Sequence, residues 1–266
     1  MRFHATAFIA SCALCLTAFA DENPPEQPHS TGNQAIQSVI SKFDRNLTFY
    51  AAFDGTPNAS MSNGSYEPAT QKDIKYSPGK SGEALSNGTA VFPGQENLDS
   101  LAGTAILWVE IYRPGPAAED EGYFFPLMMG INDDAKKSYG TFIIGKMHNS
   151  LIYSYFQEGA GGPGNITRQV NPFVGSMGWK KGEWHLLAFA WKPGCIQLSI
   201  DGQPFVKNST MPPISGKATH ITVTALSSEE AKAAVAVDEV MVFNRPFSDE
   251  EISWIWNTMG KLEPLH

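Results

Sequence analysis

The apolar and polar positions divide the chain into four stretches. Arg2 is followed by an apolar run from Ala5 to Phe19, broken only by Thr and Ser, and Ala18-Phe19-Ala20 places small residues where a signal peptidase reads. This predicts a secretory signal peptide over residues 1–20, cleaved after Ala20, and a periplasmic or extracellular protein. The run is too short for a transmembrane anchor, and no later segment is long and apolar enough to span a membrane. Ile9-Ala10-Ser11-Cys12 resembles a lipobox, so a lipoprotein form stands as the rival. Residues 21–34 are rich in Pro and polar groups and read as a disordered linker. Ala35, Ile36, Val39, Ile40 and Phe43 then share one face of a short helix within 35–46.

Beyond Asn46 the period changes. Short β-branched and aromatic runs alternate with Gly, Pro and Asn. They predict strands at 47–53, 89–92, 104–112, 123–130, 140–145, 150–156, 184–191, 196–200, 219–226 and 234–243. Turn signals such as Lys192-Pro193-Gly194 and Asp201-Gly202 separate them. Many short strands in one block, without a repeat or a composition break, define a single sandwich or barrel domain over 47–260. The run from His185 to Trp191 is apolar at nearly every position, so its strand is covered on both faces or lines a groove. The chain closes on a helix: Ser248 with Glu251 forms a capping box, and Asp249, Glu250 and Glu251 suit the positive end of the helix dipole. These acids are helix-start chemistry.

Charge and cysteine count narrow the partners. The net charge of −8 disfavours nucleic acid, and losing Arg2 with the leader makes it one unit more negative. Cys12 and Cys15 fall in the leader, leaving Cys195 as a small buried residue without a disulfide partner.

Four ordered stretches carry a resemblance. They are Leu47–Gly55 with its Phe-Asp-Gly ending; Ser77–Leu85 with Pro-Gly-Lys-Ser-Gly-Glu-Ala-Leu; Gly182–Ala188 followed by Leu198–Gly202; and Val237–Ile252. Together they resemble the laminin-G-like domain of the concanavalin-A-like lectin/glucanase superfamily over about residues 47–256. The resemblance implies an all-β, two-sheet antiparallel jelly-roll sandwich with a short N-terminal and a C-terminal helix. It also implies that the first and last strands are neighbours, with calcium near them in many members. The Ser/Asn-rich stretch after Asp54 lacks the family's second acid, and the loops at 115–122 and 157–178 match no family pattern.

Asp238 shares parity with Val240 and Val242 on an unbroken strand, so its carboxylate is expected on the apolar face, where it must be paired, hydrogen-bonded or metal-bound. Asp54 and Asp238 are the candidate ligands of a structural calcium ion. The alternative makes Asp238 an acceptor for backbone amides of the first strand and Asp54 a turn residue. Gly79-Lys80-Ser81-Gly82 is a turn between strands, since Ile74 occupies the position where a phosphate loop needs Gly. The Glu-x-Asp-x-x-Glu pattern of related glycosidases is missing, as are Gly-x-Ser-x-Gly and His-Glu-x-x-His. The six Asn-x-Ser/Thr triplets read as turn chemistry. Loop aromatics, Trp179 and Tyr123 first, with Tyr139 and Phe173 behind them, are the candidate ligand-binding residues; Trp179 could equally cap an edge of the core. The expected function is a secreted, non-catalytic module for carbohydrate or glycoprotein. The alternatives are a protein-interaction domain and a glycoside hydrolase or lyase.

Overall fold

The computed structural model describes residues 34–112, 124–133, 138–146, 152–158, 166–170, 178–209, 216–227 and 234–260. The leader, linker residues 21–33, Tyr123 and Phe173 lie outside the described residues; Gln34 opens the first helix rather than closing the linker, and Tyr139 sits in the strand Ser138–Lys146, paired with Asn132. Among these residues helix α1 (Gln34–Phe43) precedes fourteen strands, and helix α2 (Asp249–Met259) follows them. Among the described residues no helix is long and apolar enough to cross a membrane.

All strand pairings are antiparallel. The main path runs β12 (Val206–Asn208), β11 (Cys195–Ile200), β10 (Trp184–Lys192), β5 (Gly103–Tyr112), β14 (Ala234–Phe243), β4 (Glu83–Pro93), β13 (Lys217–Ala225), β6 (Phe124–Asp133), β7 (Ser138–Lys146), β8 (Ile152–Glu158), β9 (Ile166–Val170). Strand β1 (Leu47–Ala51) pairs with β14 and with β2 (Met61–Ser62), while β3 (Thr70–Pro78) pairs with β4. The register Leu47↔Phe243 to Ala51↔Val240 makes the first and last strands neighbours, as expected.

The sheet curls at the β14–β4 corner, where Val237 and Leu85 are paired. Two layers then face each other, and β7 lies over β10: the Phe142 ring meets Phe189 at 5.4 Å and Trp191 at 4.9 Å between centroids. Leu107, Val109, Leu187, Phe189, Val223 and Val242 belong to this inner core. A second core lies on the outer face of β5, β10 and β14 under the two helices. Trp108, Leu186, Met241 and Phe243 meet Ile36, Val39, Phe43, Ile252 and Ile255 there. The two apolar faces of β10 are thus explained by burial on both sides. Helix α2 begins with the anticipated capping box between Ser248 and Glu251.

The strands missed in the sequence are the polar or short ones. Strand β3 reads TQKDIKYSP and lies at an edge with most residues exposed, so it carries no apolar alternation. Strand β9 falls inside the segment expected to be a loop at 157–178.

Candidate functional site

Two regions bear on function: the acid cluster around Asp238 and a polar cleft at one end of the sandwich.

Asp238 does not share a face with Val240. Glu239 adopts φ 52°, and the β14–β5 register shifts between Asp238 and Met241. The bulge inserts one residue and inverts the alternation beyond it. Asp238 is therefore on the side of Ala236 and of its cross-strand partner Trp108, the helix-covered face. It is fully buried. The Ser81 N–H donates to its Oδ2 at 3.1 Å and the Glu239 N–H to its Oδ1 at 2.9 Å; the Lys80 amide donates as well. Two of these donors, Ser81 and Lys80, come from the loop after β3 and the third from β14 itself, rather than from the first strand.

That loop needs its glycines. A Cβ on Gly79 would stand 2.6 Å from Asp238 Oδ2, and one on Gly82 (φ 64°) would collide with Asp54 Oδ1. Asp54 follows β1, and its Oδ1 accepts the Glu83 N–H at 2.8 Å. Lys80 is buried, with Nζ 4.9 Å from the Trp108 ring centroid and donating to the Gly260 carbonyl at 3.3 Å. Asp54 and Asp238 thus grip opposite sides of the 79–82 turn, close enough for their charges to interact.

Glu239 is also fully buried. The Tyr50 hydroxyl donates to its Oε2 at 2.6 Å, while Oε1 has no partner. Burial pushes both carboxyls well above the usual range. The Asp54 charge adds to this at Asp238, and the Asp238 and Asp54 charges add to it at Glu239. Among the described residues no three His, Cys, Asp or Glu side chains are grouped as a metal cluster. The unpartnered Oε1 beside two further acids nonetheless suits a hard cation, which takes carboxylate and carbonyl oxygens.

Trp179 lies at the other end of β5 from the cleft described below. Its ring stacks on His185 with centroids 3.7 Å apart and 12° between planes. His185 Nδ1 is 2.8 Å from Asp201 Oδ2, and Asp201 Oδ1 accepts the Leu186 N–H at 2.9 Å. Trp179 is half-buried and packs on the inner core, which places it over an end of the sandwich. Asp54 and Asp238 meet at the 79–82 turn, and Trp179 is not brought into that site.

The cleft has a volume of about 510 Å³. It opens where β1 and β13 begin and β4 and β14 end. Leu98 and Ala218 are buried at its base, and Asn63, Gln95, Glu96, Asp99, Lys217 and Asn244 are exposed around it. Its framework is tied by buried polar groups. The Ser100 hydroxyl donates to the Gly216 carbonyl at 2.6 Å, joining two walls. Asn97 is fully buried; its Oδ1 accepts from the Asn63 N–H at 3.0 Å and the Ser62 hydroxyl at 3.1 Å. The Trp191 indole N–H donates to the Asp99 carbonyl at 2.9 Å. The sequence reading missed this cleft, because its residues come from five separate segments of ordinary polar turn composition.

The curled antiparallel layers, with adjoining terminal strands and a loop-built cleft at one end, define a lectin-like jelly-roll sandwich. The family model described as the concanavalin A-like lectin/glucanases superfamily, a laminin-G type, matches residues 85–253, and the chain belongs to that family. No curated protein matches the sequence.

Among solved structures, domain 4 of AbnA, an extracellular GH43 arabinanase from Geobacillus stearothermophilus in complex with arabinotriose, is similar. Its TM-score is 0.53 at 16% identity, covering 79% of this chain and 98% of that one. The binding domain of Paraclostridial Mosquitocidal Protein 1 gives 0.58 at 9% identity, covering 82% and 53%. The binding domain of botulinum neurotoxin DC in complex with SialylT gives 0.55 at 11% identity, covering 81% and 52%. The chain thus spans about half the length of those two toxin domains. At these identities the likeness concerns the fold.

Proposed function

We propose that this chain is a secreted, non-catalytic module that binds carbohydrate or glycoconjugate. The observation that carries the reading is the cleft of about 510 Å³, in which amides, carboxylates and a lysine surround a small apolar base. Sugars offer dense hydroxyls on their edges and C–H groups on their faces. A site of this composition answers both, and its cross-tied walls lower the ordering cost of binding. The arabinotriose and SialylT complexes of similar folds support the reading.

A glycan array and polysaccharide pull-down, run with and without chelator, test it. Saturable binding of a glycan, lost on substituting Asn63 and Asn244 together, is the expected result. Capture of protein partners without any glycan would replace this reading with a protein-interaction domain, and glycan cleavage would make the chain an enzyme.

A structural calcium ion at Asp54 and Asp238 is proposed beside this, on the strength of the unpartnered Glu239 Oε1. Those residues would hold the ion, which would offset their mutual repulsion. It has no role in the cleft.

A further inference from the structure

We infer that the cleft selects uncharged sugars with adjacent free hydroxyls and rejects sialylated, uronic or sulfated ones; this rests on the carbohydrate reading above. The charge around the cleft decides it. Among the described lining residues, Glu96 and Asp99 are two exposed carboxylates against the single ammonium of Lys217. The whole chain is acidic as well, at −8. An anionic ligand would meet net repulsion from both sources, partly screened by salt.

The same two acids are suited to neutral diols. A carboxylate only accepts hydrogen bonds, and two neighbouring hydroxyls can donate to its two oxygens. Asp99 is held in place: its Oδ1 accepts the Leu101 N–H at 2.8 Å and its carbonyl accepts the Trp191 indole, which leaves Oδ2 and the second lone pair of Oδ1 to take the two hydroxyls. Glu96 reaches the opposite rim, where its Oε2 lies 3.5 Å from a Cβ position built on Gly64. The Asn63, Gln95 and Asn244 side chains supply amide donors, and Asn63 and Gln95 add acceptors, while Asn244 Oδ1 already accepts the Asn46 amide at 3.0 Å. Lys217 adds one further donor to a sugar oxygen, too little positive charge to reverse the balance.

Matched glycan pairs on the full mature chain separate the possibilities, for example lactose against sialyllactose and galactan against polygalacturonate. The neutral member of each pair is expected to bind at least tenfold tighter at low salt, with the gap narrowing as salt rises. Glu96→Gln and Asp99→Ala are expected to weaken the neutral ligand at least tenfold. Among the described residues the Glu96 side chain makes no hydrogen bond that supports the fold, so Glu96→Gln keeps the test valid if Asp99→Ala folds poorly. Glu96→Lys should raise affinity for the anionic member, and Lys75→Ala, on exposed β3, should change nothing. Tighter binding of the anionic members, or unchanged neutral binding in both acid variants, overturns the selectivity and leaves the carbohydrate reading standing. Failure of every glycan to bind overturns both.

Discussion

Asp238 and Ser81, 157 residues apart in sequence, are joined where the Ser81 N–H donates to Asp238 Oδ2 at 3.1 Å. The bond fastens the turn between β3 and β4 onto the bulge of β14. It lies on the outer face of the sheet, under the helix-covered core. The fold spends a fully buried carboxylate on holding a loop, and the loop contributes glycine where any side chain would strike that carboxylate or Asp54.

Asp238→Ala should therefore lower stability by about 2–3 kcal/mol, the scale of several backbone amides losing their acceptor in a buried site. Urea unfolding measures it. Hydrogen exchange of the 80–81 amides should accelerate more than that of the β10–β11 amides. An unchanged urea midpoint would remove the clamp.

The Arg245–Glu251 pair sets one pH dependence. Arg245 Nη2 meets Glu251 Oε1 at 2.6 Å and Nη1 meets Oε2 at 2.9 Å, and this hydrogen bonding holds the Glu251 carboxyl below its ordinary value. A carboxyl depressed in the folded state adds stability that is complete above its unfolded pKa, about 4.3, and is lost as pH falls through the folded value. Both side chains are about a quarter to a third exposed, so solvent screening limits the contribution to about 1 kcal/mol. Glu251→Gln should cost about that much at pH 7 and progressively less as pH falls below the unfolded value, read from urea midpoints across that range.

Trp179 stacks on His185 at the far end of the sandwich from the cleft. Trp179→Ala should lower Tm, at a cost of about 1–2 kcal/mol for a half-buried aromatic contact, while glycan affinity is unchanged. Calorimetry and a glycan titration of one preparation check both halves. Lost affinity at unchanged Tm would instead place Trp179 in the ligand site.

Calcium at Asp54 and Asp238 has a thermodynamic signature. An ion bound only to the folded chain adds about 2.7 kcal/mol at a hundredfold excess over its Kd. Tm should therefore rise by several degrees in millimolar calcium, return with chelator, and stop responding in Asp54→Asn. A Tm indifferent to calcium ends the assignment.

The strands with strong alternation or both-face burial, such as β5, β10 and β14, were readable from their side chains alone, as was α2 from its capping box. Strand β3 was not, because an exposed edge strand of Lys, Asp, Gln and Thr has no period to detect. Asp238 was recognisable as a buried acid by its setting among Val residues. Its direction was not, because one bulge residue with positive φ inverts the face, and nothing in Asp-Glu announces a bulge.

By itself the sequence determined the all-β architecture, the meeting of first and last strands, and the need to satisfy a carboxylate on β14. Those follow from local periodicity and from the ordered family motifs. Only the tertiary structure decided which face Asp238 occupies, what Trp179 rests on, and that Asn63, Glu96, Asp99, Lys217 and Asn244 surround one cleft. Such a site is built from segments far apart in the chain, and their convergence depends on sheet curl and strand register, quantities that no single stretch of residues encodes.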